Sequence, residues 1–264
     1  MKLALAFIDL DDTLLGNDKR ISAENRQALR RLQEAGVHPV LASGRHIKSM
    51  RQIATELPEI EWLISMQGGL VTDTTGENVL FEALLPKNTV RQVVDLGVDR
   101  GYTVMIYSRE HIFANPAGAY VELYTRLSGH RPTVLNPYEL VREDVFKVLW
   151  LEQEDRIAAV ADMVELAQLD AYLVRTQDEI FEFMPKHANK GAAAAALAQH
   201  LGVAPEACVA FGDGNNDVPM LEWAGESVAM DHGWQDAKTA ARHVTPAGDP
   251  NSAFARGVEL LLGS

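Results

Sequence analysis

Residues 3–15 read LALAFIDLDDTLL: an unbroken apolar run over 3–8, then Asp9, Asp11 and Asp12, then a return to Leu14 and Leu15. An apolar run without alternation, stopped by polar residues, is the pattern of a short strand buried on both faces in a parallel sheet. The acids at its end need an explanation. Two unit charges 4 Å apart repel by roughly 4 kcal/mol at an effective dielectric near 20. Such a cluster persists if the carboxylates splay into water, take up protons, or share a cation.

The same alternation continues outward. Ser22 precedes AENRQALRRLQEAG, with apolar spacing at Ala28, Leu29, Leu32 and Ala35 and a stop at Gly36, which predicts an amphipathic helix. VHPVLASG is a second strand, a helical segment follows to about Leu57, and EWLISMQGG is a third strand running into glycines. LVTDTTGENVLFEALL reads as a hairpin turning at Thr75 and Gly76. A β-α-β-α-β order implies a doubly wound parallel sheet. From Lys87 the order changes. A helix over 87–100, paired short strands in YTVMIYSREHIFANP, a strand over 145–151, a helix over 155–168 and a strand pair in AYLVRTQDEIFEFMP read as α+β. From Lys190 the α/β order resumes with an Ala-rich helix, the strand ACVAFGDG, a helix near DVPMLEWAG, the strand ESVAM and two final helical segments. The expected fold is α/β, a Rossmann-like doubly wound parallel sheet core (residues 1–84 and 187–264) with an inserted α+β cap domain (85–186).

The chain has 264 residues, 47% of them hydrophobic and 23% charged, the composition of a globular protein with a sizeable core. A formal net charge of −13 argues against a nucleic-acid or anionic-membrane surface. An anionic ligand then needs a locally positive pocket or a bound metal. The single cysteine, Cys208, excludes an intramolecular disulfide and a thiolate zinc cluster, and reads as a small buried residue. Asp9 interrupts the first apolar run too early for a signal peptide, and no stretch approaches the roughly 20 apolar residues of a membrane span. A cytoplasmic location is expected.

Four signals fall at the expected carboxyl ends of core strands: Asp9/Asp11/Thr13, Ser43-Gly44-Arg45, Lys190, and GDGNND at 212–217. In open α/β sheets ligands bind outside the carboxyl ends of the strands, so these distant segments can converge. A calcium loop fails at Leu14 and Arg20, where glycine and glutamate are required, and again at Val218 and Ala224. GDGNND lacks the third glycine of a dinucleotide fingerprint, and no nucleotide P-loop or nucleophile elbow is present. Asp9, Asp11 and Asp213 offer hard oxygen ligands, which suit Mg²⁺ better than zinc. Lys190, Ser43 and the amides of the Thr13 and Gly44 turns can hold phosphate oxygens.

As a set, DLDDT, ASGR, Lys190 and GDGNND resemble the four motifs of the haloacid dehalogenase superfamily, in its order. FEFMPKHANKGAAAAAL, GDGNNDVPMLEWAGESVAM and NSAFARGVELLL resemble its Cof-type branch of sugar-phosphate and metabolite phosphatases, which carry a large α+β cap between the second and third motifs. The resemblance covers essentially the whole chain. It implies Asp9 as nucleophile, Asp11 as general acid and base, Ser43, Gly44, Arg45 and Asn216 as phosphate contacts, and Lys190 as the cation that offsets the phosphoryl charge. It further implies Mg²⁺ held by Asp9, Asp11 (through its backbone carbonyl) and Asp213, with Asp217 behind it. Relatives commonly carry Asn-Gly after the third strand; here Gln67 stands before Gly68, and Gln67 is not among the expected site residues.

The expected function is Mg²⁺-dependent hydrolysis of a small phosphorylated metabolite, a sugar phosphate foremost, through an aspartyl-phosphate. The alternatives are a phosphosugar mutase or phosphotransferase, and a non-catalytic sensor of a phosphorylated ligand. The expected partner is the small phosphorylated metabolite itself, with neither nucleic acid nor membrane. A monomer is preferred and a homodimer is the alternative.

Overall fold

The apolar run of the opening stretch forms β1 (Leu5–Ile8), buried throughout, in a computed structural model that describes residues 2–263. The chain divides into two compact units. The first holds the residues up to Gly44, Met50–Phe81, and the chain from Asn189 onward; the second holds Arg45–Ser49 and Glu82–Ala188.

After β1 the chain forms α1 (Ala23–Glu34), capped where the Ser22 hydroxyl accepts the Asn25 N–H at 3.1 Å. This is the N-cap expected of serine before an amphipathic run. Then come β2 (His38–Ala42), α2 (Ile47–Ala54), β3 (Trp62–Ser65), β4 (Leu70–Asp73) and β5 (Val79–Glu82). The second unit contributes α3 (Lys87–Asp99), β6 (Thr103–Tyr107), β7 (Ile112–Asn115), α4 (Ala119–Ser128), β8 (Thr133–Val134), α5 (Pro137–Leu140), β9 (Lys147–Leu151), α6 (Glu154–Ala158), β10 (Tyr172–Gln177) and β11 (Ile180–Met184). The return to the first unit runs through α7 (Lys190–His200), β12 (Cys208–Gly212), α8 (Val218–Trp223), β13 (Glu226–Ala229), α9 (Gln235–Ala240), β14 (His243–Val244) and α10 (Ala253–Leu262).

The first unit's sheet has the order β14-β13-β12-β1-β2-β3-β4-β5. All pairs from β14 to β3 are parallel, and β4 returns antiparallel to β3. The order reverses at β1: the chain winds to β2 and β3 on one side, and later to β12, β13 and β14 on the other. This is the Rossmann-like core, and the second unit is its α+β insertion.

The second unit's sheet has the order β10-β11-β9-β6-β7-β8, antiparallel except between β7 and β8. Val90, Val93 and Val94 of α3 pack with Val104, Ile106, Val148, Trp150 and Phe183 in one buried cluster. Trp150 Nε1 donates to the Val93 carbonyl at 3.1 Å, so the ring is buried with its one polar atom satisfied.

The structure corrects one reading and adds one strand. The helix expected over 155–168 is only α6, followed by the 3₁₀ turns Ala159–Asp162 and Val164–Gln168 with Met163 extended between them. Ile157, Val160, Leu166 and Leu169 are buried and Met163 is partly buried. A repeat of three residues fits the three-residue turn of a 3₁₀ helix rather than the 3.6 of an α-helix. The strand β14 is also new; its two residues are exposed at the sheet edge and leave no apolar pattern to read. Among the described residues no helix is long and apolar enough to cross a membrane.

The second unit also buries charge. Lys147 Nζ donates to Glu182 Oε2 at 2.8 Å and stands 4.4 Å over the Tyr107 ring, while Thr176 Oγ1 donates to Glu182 Oε1 at 3.0 Å. Lys147 and Glu182 are 2% and 4% exposed, so neither can be solvated if its partner is lost. Glu182→Leu is expected to cost about 3–5 kcal/mol in unfolding free energy, and Lys147→Met added to it should restore most of that. Denaturant titration of the two singles and the double checks this; a double variant as unstable as the single would sink it.

Candidate active site

Asp9 follows the last residue of β1, Ser43 follows β2 and Asp213 follows β12. Ile8 is in register with Leu41 and with Phe211. These three parallel strands lie side by side, about 4.8 Å apart, and deliver all three residues to one end of the sheet where its order reverses. Open sheets of this type form their ligand crevice at that reversal.

Lys190 opens α7, one residue after the Asn189 cap whose side chain accepts the Ala192 N–H at 2.8 Å. A cation in the first turn opposes the helix dipole, and this one is wholly buried. Its Nζ donates to Asp9 Oδ1 and to Asp217 Oδ1, each at 2.5 Å. Burial alone lowers a lysine pKa, but Asp217 and Asp9 outweigh it and hold the ammonium charged well past its ordinary value. Asp217 Oδ2 accepts the N–H groups of Asp213 (3.0 Å) and Gly214 (2.9 Å), which folds the GDGNND turn around that carboxylate. Thr13 Oγ1 donates to Asp213 Oδ1 at 3.0 Å.

One ammonium does not balance this set. Burial first, and then the neighbouring Asp217 charge, push Asp9 up to about 7, against the lowering pull of Lys190. Burial, Asp9 and Asp217 likewise raise Asp213 well above the ordinary carboxylate range. Asp9, Asp213 and Asp217 each offer an oxygen within 4.8 Å of the others. Asp217 already spends both oxygens, on Lys190 and on two backbone amides, so Asp9 and Asp213 are the carboxylates left for a cation. Two hard oxygens plus backbone carbonyl and water is a donor set that fits Mg²⁺.

Asp11 is more open, its side chain 30% exposed and 3.3 Å from Lys19 Nζ. Ser43 is buried at the end of β2. Arg45 is grouped with the second unit, where its charge acts on the Tyr107 and Tyr124 hydroxyls. Asn216 donates through Nδ2 to Gln67 Oε1 at 2.9 Å. Gln67 is therefore a residue that sequence reasoning set aside and the fold places among the others. Its departure from the usual asparagine was visible, but its reach was not. Met66 and Gln67 both take left-handed backbone, φ +53° and +61°, at about 1–2 kcal/mol for each such residue. Cys208 is buried, as expected of it.

Because Asp9 (at about 7) and Asp213 titrate higher in the folded than in the unfolded chain, the folded protein holds more protons above the unfolded value of 3.8, through the window that Asp9 closes at about 7. Stability of the metal-free protein therefore falls as pH rises through that window. Millimolar Mg²⁺ should raise Tm at pH 8 by several degrees. Asp213→Asn should raise Tm in EDTA at pH 8 and abolish the response to Mg²⁺. Thermal melts at pH 5 and pH 8 test this, and a wild-type Tm indifferent to Mg²⁺ would contradict the charge imbalance.

The family model of haloacid dehalogenase-like hydrolases matches residues 6–255. An HMP-PP phosphatase of Cronobacter sakazakii is 30% identical over 231 residues, covering 86% of this chain and 83% of that protein. A solved haloacid dehalogenase-like hydrolase from B. subtilis superposes with a TM-score of 0.87 at 25% identity, covering 98% of this chain and all of that one (100%). A solved subclass IIB sugar phosphatase shares the fold, with a TM-score of 0.87 at 21% identity over 98% of each chain. The chain belongs to the haloacid dehalogenase-like hydrolases and, within them, to the Cof-type phosphatases.

Proposed function

We propose that this phosphatase is Mg²⁺-dependent and hydrolyses small phosphorylated metabolites, sugar phosphates foremost, through an aspartyl-phosphate on Asp9. The observation that carries the reading is the Asp9 carboxylate held through Oδ1 by a buried lysine at the reversal point of the sheet. A carboxylate so fixed is oriented for attack rather than free to rotate.

In the first half-reaction an Asp9 oxygen forms a bond to phosphorus as the ester P–O bond breaks. The leaving alkoxide takes a proton from Asp11, the acid whose half-exposed side chain is open to a solvent-side group. In the second, water gives its proton back to Asp11 and attacks phosphorus; the Asp9–phosphorus bond breaks, and inorganic phosphate is released. Ser43 and Asn216 hold the phosphoryl oxygens, and Lys190 offsets their charge. Mg²⁺, held by Asp9, Asp213 and the Asp11 carbonyl, would supply the charge compensation that lets a phosphate dianion approach these acids.

The second unit, inserted between the Ser43 and Lys190 segments, is proposed as the substrate-selecting cap. Relatives named HMP-PP phosphatase make HMP-PP a further substrate to assay. The test is inorganic phosphate release from sugar phosphates, nucleotides, pyridoxal phosphate and HMP-PP, with Mg²⁺ and with EDTA. Release that needs Mg²⁺ is expected, and Asp9→Asn should lower it by on the order of a thousandfold or more with the fold intact. Undiminished activity of that variant would refute the covalent mechanism. An isomeric phosphate ester in place of free phosphate would mark a mutase.

A further inference from the structure

The 3₁₀ turn Met66–Gly68 follows β3 and is left-handed along its whole length, with Gly68 at φ +93° after Met66 and Gln67. L residues disfavour this backbone, and contacts on three sides hold it. The Gln67 N–H donates to the Ser43 carbonyl at 3.1 Å. Its side-chain Oε1 accepts from Asn216 Nδ2 at 2.9 Å. Its Nε2 lies directly over Gly44, where an added Cβ would stand 2.4 Å away. Gly68 in turn presses on the entry to α7; a Cβ there would stand 2.3 Å from the Asn189 carbonyl oxygen and 3.0 Å from the Lys190 nitrogen. One short turn thus touches the segments that carry Ser43, Asn216 and Lys190.

We propose that Gln67 is a positioning residue: its amide ties Asn216 to the Ser43–Gly44 turn, so that the phosphate of the substrate meets a cradle already formed. This rests on the phosphatase reading above, and deepens it by naming what sets the cradle's shape. Asn216 is half-buried on a short 3₁₀ turn, and its amide can rotate away unless something fixes it. Gln67 is 3% exposed, so its own side chain has little freedom. Length matters here. An amide one methylene shorter would draw back by about 1.5 Å, too far to lie over Gly44 and meet Asn216 together. Gly44 matters equally, because any side chain there would occupy the place of the Gln67 amide nitrogen.

The experiment measures kcat and KM for p-nitrophenyl phosphate with Mg²⁺, the inhibition constant of inorganic phosphate, and Tm. The proteins are wild type, Gln67→Ala, Gln67→Asn, Gln67→Glu, Asn216→Ala and the Gln67→Ala/Asn216→Ala double. Gln67→Ala should raise KM and the phosphate constant together, by about tenfold, with kcat changed far less, the signature of lost ground-state binding. Gln67→Asn should not restore them. The double should be no worse than the poorer single, because both remove the same tie. Gln67→Glu is nearly isosteric and keeps the acceptor for Asn216, and Tm shows whether each variant is folded under the assay conditions. It should weaken phosphate at least as much as alanine, because a negative charge beside the Ser43–Gly44 and Asn216 segments disfavours an anion held there. KM and phosphate constants within twofold of wild type in Gln67→Ala and Gln67→Glu, or additive losses in the double, would overturn the proposal. A wild type that neither releases nor binds phosphate would instead refute the phosphatase reading itself.

Discussion

One ammonium group organises the site. Lys190 reaches Asp9 and Asp217 at 2.5 Å each, with no exposed surface of its own. A buried lysine persists as a cation only where carboxylates compensate its lost hydration, and these two lie on different segments, at the ends of β1 and of the turn after β12. The lysine therefore requires that β1, the start of α7 and the GDGNND turn be brought together. Its position at a helix N-terminus breaks a local preference, a conflict of the kind expected at functional positions.

The remaining architecture follows from where those segments must end. β1 is central, flanked by β2 and β12 in parallel register, and each delivers a polar residue just past its last pair. The strands are almost wholly apolar, so both faces of the sheet are committed to packing and chemistry is left to its end. Helices α1 and α7 serve this differently. The buried stripe of α1 is Ala28, Leu29 and Leu32, whereas α7 is alanine-rich, so its backbone can approach closely and carry Lys190 inward.

This division also explains what could be read from the chain alone. Doubly buried strands, the Ser22 cap and the order of alternation are local signals, and they were enough for the Rossmann-like core. The four motifs lie at element ends, where sequence spacing is informative about position. The 155–168 segment misled because an apolar residue every third position satisfies a loose helical pattern, and only the geometry of Met163 distinguishes 3₁₀ turns from one helix. Gln67 was illegible for a different reason. Its place depends on left-handed backbone at two non-glycine residues and on a glycine 23 positions earlier that leaves room for its amide. Neither has a periodicity, and both exist only once β2 and β3 are side by side.

The charge arithmetic gives these observations an order. Asp9, Asp213 and Asp217, all ionised, set three negative charges against Lys190, leaving two unbalanced. A phosphate dianion arriving at such a site would meet repulsion from groups in a poorly screened interior. Burial first, and the neighbouring carboxylates after it, raise the pKa of Asp9 and Asp213. Protonation would relieve the imbalance but would discharge the Asp9 carboxylate. A divalent cation would relieve it while leaving the Asp9 carboxylate ionised, and the donor set suits one. The neutral amides of Gln67 and Asn216 suit the rest of the cradle for that reason. They join the turn after β3 to the turn after β12 without adding to that charge balance.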